Sequence, residues 1–213
     1  QFIGFEEFGE EYKVMGLAAY GQPVYLDLMR KLISAPASGL QPPTTGQFRL
    51  NPRFFRPLGK NLEECVDATG EIVLPPLYSD ELARHLGAPR RRGEALTQRE
   101  NDIAASVQAR FEEIVRVCLG FLHRQMPTDK LVTAGGCALN GVCNARILRE
   151  TPFKQSYIQC AASDDGTAIG AALHVWNAML GKPRAGSVEH AYCGPEHSES
   201  DMEKALHRAG LPF

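Results

Sequence analysis

Two short stretches carry residues able to do chemistry, and each stands where a run of β-forming residues gives way to a helical pattern. The first is Leu131-Val132-Thr133-Ala134-Gly135-Gly136-Cys137-Ala138-Leu139-Asn140. Glycines without Cβ let the backbone approach a ligand closely, and a helix start offers free N–H groups to phosphate oxygens. Asn140 and Asn144 are one helical turn apart and face the same way, so both amides suit a nucleotide or an acyl phosphate. The second stretch is Ser163-Asp164-Asp165-Gly166-Thr167-Ala168-Ile169-Gly170-Ala171-Ala172-Leu173. Two carboxylates between a strand and a helix can bind a divalent metal or orient a hydroxyl for attack.

Each stretch also has a plainer reading. Paired glycines serve any tight strand-to-helix turn, and an Asp at a helix start is an N-cap worth about 1 kcal/mol. The glycine stretch differs from a GxGxxG fingerprint and from a P-loop. Together they are more specific than either alone, because open α/β sheets place their ligands at strand C-termini.

The elements that must position these turns follow from periodicity. Apolar residues at Ile103, Val107, Phe111, Ile114, Val115, Cys118, Phe121 and Leu122 predict a long helix over about 97–125, stopped by Pro127. A short buried strand is expected over 130–134, a helix over 140–149, a strand over 155–159 and a core helix over 167–179. Strands alternating with helices imply an α/β architecture, a sheet covered by helices. Upstream, helices are expected near 10–21 and 25–33. The proline-rich stretch of about 35–78 reads as an insertion of loops on the surface, with one strand near 47–50. A short helix and loop follow over 80–92. Beyond Gly181-Lys182-Pro183 lie a polar connector and a helix near 201–209. No internal repeat is visible.

Composition excludes several classes. Basic and acidic side chains number 23 and 25, a net charge of -2 that gives no reason to expect nucleic acid or an anionic membrane. No run of about 18 apolar residues spans a bilayer, and no secretory signal is visible. Cys65, Cys118, Cys137, Cys143, Cys160 and Cys193 form no CxxC pair, so they read as free thiols of a reducing compartment, the cytoplasm. The chain opens at Gln1 without Met and reads as a piece of a longer protein.

Three ordered motifs resemble the NodU/CmcH-type O-carbamoyltransferases. Glu11-Tyr12-Lys13-Val14-Met15-Gly16-Leu17-Ala18-Ala19-Tyr20-Gly21 is similar to the family's EYKxMGLAxYG signature. The segment from Ala134 to Asn140 resembles its GGxALN turn, with Asn144 as the matching second Asn. Ser163 to Leu173 resembles its DxGxAxGAAL element. Asn101 to Gln108 also resembles the family's helix before the glycine turn, and Tyr192 to Glu196 its approach to a C-terminal domain.

The resemblance implies an actin-like ATPase (ribonuclease H-like) fold, partial here. Residues 1–182 would be the C-terminal half of the catalytic domain, and 183–213 a connector and the start of a YrdC-like domain. It implies an enzyme that uses carbamoyl phosphate and ATP to make carbamoyl-adenylate and moves the carbamoyl group to a hydroxyl of a small acceptor, such as an antibiotic or a nodulation oligosaccharide. By position, Gly135, Gly136, Asn140 and Asn144 match the nucleotide-binding turn, and Asp164 matches the Asp ligand of a divalent metal, generally Fe2+. Lys13 and Glu11 fall in the first signature, where a role near the nucleotide or carbamoyl group is expected. The family's HxxxH metal motif is missing from this sequence, whose histidines are His85, His123, His174, His190, His197 and His207. The two His ligands are therefore expected upstream of Gln1, and this piece alone should bind metal poorly and be inactive. The expected partners are the upstream half of the domain and the downstream YrdC-like domain.

Two alternatives stay open: a tRNA threonylcarbamoyl transferase-like enzyme with similar turns, and a non-catalytic nucleotide-binding module of the same fold. Among lesser candidates, His85 reads as a helix-end histidine, His123 and His174 as core or partly buried, and Trp176 as packing the last helix onto the sheet. Arg90-Arg91-Arg92 reads as a solvated loop able to meet a phosphate.

Overall fold

The computed structural model describes residues 1–7, 9–35, 48–56, 65–66, 68–70, 72–184, 186–192 and 194–211. Its elements are α1 (Glu11–Ala18), α2 (Leu26–Leu32), β1 (Ile33–Ser34), β2 (Arg49–Leu50), α3 (Asp80–Leu86), α4 (Gln98–Gln125), β3 (Lys130–Thr133), α5 (Gly141–Glu150), β4 (Gln155–Ile158), α6 (Gly166–Leu173) and α7 (Glu199–Arg208). A 3-10 helix, Gly136–Leu139, joins β3 to α5, and a π-helical stretch, His174–Met179, continues α6. The architecture is α/β, with two small two-stranded sheets, β1-β2 and β3-β4. The chain divides into two compact units, one of Gln1–Val132 with Asn140–Tyr157, the other of Thr133–Leu139 with Ile158–Phe213.

The first unit is organised on α4. Ile103 and Ala104 pack with Ile3, Met29, Leu32, Phe54, Leu82 and Leu86 in its main core. A second cluster holds Leu131 of β3, Ile147 of α5 and Phe153, with Leu119 against it. β1 pairs antiparallel with β2, Ile33 opposite Leu50 and Ser34 opposite Arg49. The proline-rich stretch is therefore not wholly superficial, because Phe54 within it is 6% exposed and belongs to the main core. Of the strand expected near 47–50, Gln47 lies outside the described residues. So do Cys193 and the prolines at 36, 42, 43 and 57.

Some expectations of burial fail. β3 buries Leu131 but leaves Val132 71% exposed, so it is half-buried. Trp176, expected to pack its helix onto the sheet, is 49% exposed. His174 is exposed too, and α6 buries no side chain although nearly every residue in it is small or apolar. The expected helix over 167–179 changes hydrogen-bond pattern at His174, where the backbone widens and Leu180 N donates to Val175 O at 2.9 Å.

Helix α4 begins on a buried charge. Glu100 is 1% exposed. Its carboxylate reaches back to accept from Thr97 N at 3.0 Å and from the Thr97 hydroxyl at 2.6 Å, and Arg99 Nε donates to it at 2.8 Å. Burial by itself would raise the Glu100 pKa, but the hydrogen bonds from Thr97 and Arg99 outweigh it and hold the group at about 2. A carboxylate held low stabilises the fold above its ordinary value of 4.5 and ceases to do so as pH falls toward about 2. E100Q is expected to lose about 1–3 kcal/mol at neutral pH and to flatten the acid limb of the stability curve. Denaturation measured across pH checks this, and an unaltered acid limb in E100Q would remove Glu100 from the role.

Candidate functional site

The glycine turn and the acidic turn lie side by side in the second unit. Gly135 takes φ +99°, a conformation side chains rarely adopt, and its N–H donates to Ala162 O at 2.6 Å. One residue on, a Cβ at Gly136 would stand 3.6 Å from Ser163 Oγ. Gly135 and Gly136 are exposed, and a Cβ at Gly135 would meet nothing within 4 Å. Ala138 N donates to Gly135 O at 2.9 Å, which closes the 3-10 turn. The amides of Gly136 and Cys137 keep no partner among the described residues. Bare backbone with open space and two free N–H groups fits a phosphate or carbonyl oxygen.

The acidic turn is tight because of Gly166. A Cβ there would lie 2.0 Å from Ala161 O, so only glycine lets the chain enter α6 at this angle. Thr167 N and Oγ1 bond the backbone oxygen of Asp164 at 3.1 and 2.5 Å. Asp165 occupies the N-cap position in a helical conformation and makes no capping bond. Both carboxylates are exposed, and neither is used to cap the helix. Just before the glycine turn, the Thr133 hydroxyl is buried with no hydrogen-bond partner among the described residues.

Asn140 belongs to the first unit, where it is the N-cap of α5. Its Oδ1 accepts from Cys143 N at 2.9 Å and from Gln108 Nε2 at 3.0 Å, and its Nδ2 donates to Gln108 Oε1 at 2.8 Å. Asn144 is half-buried one turn along, its N–H on Asn140 O at 2.9 Å. Gln108 was not singled out by the sequence reading as a site residue; its place four residues before Glu112 on α4 was the available signal. Lys13 and Glu11 also lie in the first unit, on α1. Lys13 is ion-paired with Glu10. The hydrogen bond between them raises the Lys13 pKa and lowers that of Glu10. Glu11 is exposed.

The lesser candidates settle into structural places. His85 lies 3.5 Å from Glu81 and against the Phe54 ring, and His123 meets Phe153 edge to face at 5.4 Å between centroids. Arg90 is not a solvated side chain: its guanidinium holds Ile3 O at 2.9 Å and the Glu94 backbone oxygen. Arg92 pairs with Glu7. A cavity of about 610 Å³ in the first unit is lined by Arg90, Arg91, Glu94, Thr97, Arg99 and Glu100 among others, and by none of the predicted site residues. Burial pushes the Cys143 thiol up to about 11 and raises Cys118 as well, away from the thiolate form. Cys137 and Cys160 are exposed, and all five described cysteines are free thiols.

A family profile described as Carbamoyltransferase N-terminus matches residues 1–173. The chain is 39% identical to the Synechocystis protein sll1178, over 96% of this chain and 31% of that protein. It is 30% identical to the nodulation protein NolNO of Sinorhizobium fredii, over 97% of the chain and 26% of that protein. With the nodulation protein NolO of Bradyrhizobium diazoefficiens the identity is 32%, over 92% and 30% respectively. The chain thus spans less than a third of the length of these relatives.

Gly166 and Thr133 test the turn pairing from opposite sides. G166A is expected to cost about 1–3 kcal/mol, because the new methyl must push the Ala161 carbonyl aside. T133V removes a buried hydroxyl that has no partner and should leave stability unchanged or raise it. Thermal or denaturant unfolding reads both. A T133V loss above about 1 kcal/mol would mean that the hydroxyl is bonded.

Proposed function

Because the chain belongs to the carbamoyltransferase family, whose N-terminal region it matches over residues 1–173, we propose that it takes part in moving a carbamoyl group from carbamoyl phosphate, through carbamoyl-adenylate made with ATP, to a hydroxyl of a small acceptor. A natural product or a saccharide suits that description. The proposed fold is of the actin-like ATPase type, with residues 183–213 a connector and the start of a YrdC-like domain. The observation that carries the reading is the 2.6 Å hydrogen bond from Gly135 N to Ala162 O, which keeps the glycine turn beside Ser163 and Asp164. The comparisons favour this reading over a tRNA-modifying enzyme.

ATP supplies the adenylate that makes the carbamoyl carbon open to attack. In the transfer that carbon gains the acceptor oxygen and loses the phosphate oxygen. The amides of Gly136 and Cys137 would stabilise the charge that collects on the carbonyl oxygen, as donors fixed before the reaction. Gly135 keeps the backbone bare so that the ligand can approach it. Asn140 and Asn144 on α5, and Lys13 and Glu11 on α1, are proposed to hold the nucleotide or carbamoyl group on the strength of the family motifs. For Lys13 the role is that of a fixed positive charge.

Asp164 is proposed as one ligand of a divalent metal, Fe2+. Among the described residues no three His, Cys, Asp or Glu groups stand together as a metal site. These residues do not assemble the site by themselves, and no step is drawn through the metal.

In the full-length polypeptide, D164A is expected to lower carbamoyl transfer by at least about 100-fold while thermal unfolding stays within a few degrees of wild type, because the carboxylate is exposed. Transfer is measured as acceptor carbamoylation from carbamoyl phosphate and ATP, and retained transfer in D164A overturns the assignment.

A further inference from the structure

Gln108 and Glu112 sit one turn apart on α4, 8% and 7% exposed, beneath the start of α5. Gln108 Nε2 donates to Glu112 Oε1 at 2.8 Å, and Arg146 of α5 closes the chain of bonds with Nη1 on Glu112 Oε2 at 2.9 Å. The Gln108 amide therefore lies between an acceptor-only carboxylate and the Asn140 side chain.

The direction of every bond in this chain is forced from both ends. Cys143 N can only donate, so Asn140 must turn Oδ1 toward it and Nδ2 toward Gln108 Oε1. The ion-paired Glu112 carboxylate only accepts, so Gln108 must turn Nε2 toward it, which leaves Oε1 to face Asn140. The two ends demand the same orientation, and neither amide can flip without losing a bond at each end. With that orientation fixed, both Gln108 N–H groups are used. Asn140 Oδ1 is also used, accepting from Gln108 and from Cys143 N. One Asn140 N–H is left over.

We infer that Gln108 and Glu112 are positioning residues that present the Asn140 side chain as a single hydrogen-bond donor, so that it takes an acceptor oxygen, of phosphate or carbonyl, and refuses a donor group. This rests on the proposed role of Asn140 in binding nucleotide. It deepens that role by naming the polarity of the contact and the residues that set it. An amide pair locked between a backbone donor and a carboxylate has no rotamer freedom left to lose when a ligand arrives.

The experiment uses the full-length polypeptide and two readouts. Q108M keeps the side chain's length and removes its amide. It is expected to raise the KM for ATP five- to tenfold with kcat within about twofold, since a positioned contact weakens and the reacting groups are untouched. E112Q removes the acceptor-only end, lets the amides flip and should raise KM by a smaller factor, so it decides the matter if Q108M fails to fold. The second readout is hydrogen exchange of the Asn140 side-chain amide, which needs no activity. In wild type one of its two protons should exchange slowly and the other fast, and Q108M should abolish the difference. Equal exchange of both protons in wild type, or an unchanged KM in a folded Q108M, overturns the inference. Wild-type protein that shows the exchange difference but neither binds ATP nor transfers carbamoyl instead sinks the proposed function and leaves the fixed amide standing.

Discussion

A polar helix face buried in a protein interior must find a partner for every group on it, and α4 is built under that constraint. Of its five buried polar side chains, four dock different pieces of the first unit, and the fifth, Glu112, joins Gln108 in holding α5 through Arg146. Glu100 fixes the loop that leads into the helix. Ser106, with no exposed surface, accepts from Tyr25 N at 3.0 Å while donating to Asp102 O at 2.6 Å, which seats the start of α2. Arg110 places two guanidinium nitrogens on Ile33 O at 2.9 and 2.7 Å, which sets β1. Gln108 takes Asn140 and so the start of α5. The more exposed Asp102 does similar work at the surface, accepting from Gln22 N at 2.7 Å just after α1. Hydrophobic contacts alone would let α1, α2 and α5 slide along a smooth helix; these directional bonds fix where each one stops.

The second unit is held differently. Its buried apolar residues among those described are Ala138, Ala161 and Ala162, which remove little surface from water. Its order comes from backbone bonds between the two turns and from glycines that permit close approach. Leu173, Val175, Trp176, Met179 and Leu180, all 42% exposed or more, form an apolar surface on α6 and the π-helical stretch. Here the geometry of the turns is set without a large core, so backbone contacts carry more of the precision than packing does.

Periodicity made most elements legible. The spacing from Ile103 to Leu122 located α4 to within a residue, and Pro127 with the paired glycines bounded β3. The two turns were legible as turns, because glycine at the junction of a strand and a helix permits the bends made at Gly135 and Gly166. Burial was the part that periodicity could not supply. An apolar run such as 166–180 has the composition of a core helix whether or not something covers it, which is why Trp176 and His174 were misplaced. Phe54 was hidden by its setting, since a proline-rich stretch gives no pattern that separates an aromatic side chain plugging a core from one on the surface.

Asn140 was the least legible residue of all, because two functions for one side chain look like one in a sequence. As an N-cap it saves an orphaned N–H of α5, a task for which Asn, Asp and Ser compete nearly equally. The amide pairing with Gln108 separates them. Asp would set a second anionic oxygen against Gln108 Oε1, and Ser would not reach it, so only Asn satisfies Cys143 N and both atoms of the Gln108 amide at once. Once all three bonds are made, the fourth hydrogen-bonding position is fixed in space by the fold. An immobilised side chain costs roughly 0.5–1.5 kcal/mol when ordered on binding. In Asn140 that ordering is complete when α5 folds onto α4, so a contact made through its last N–H is free of that penalty.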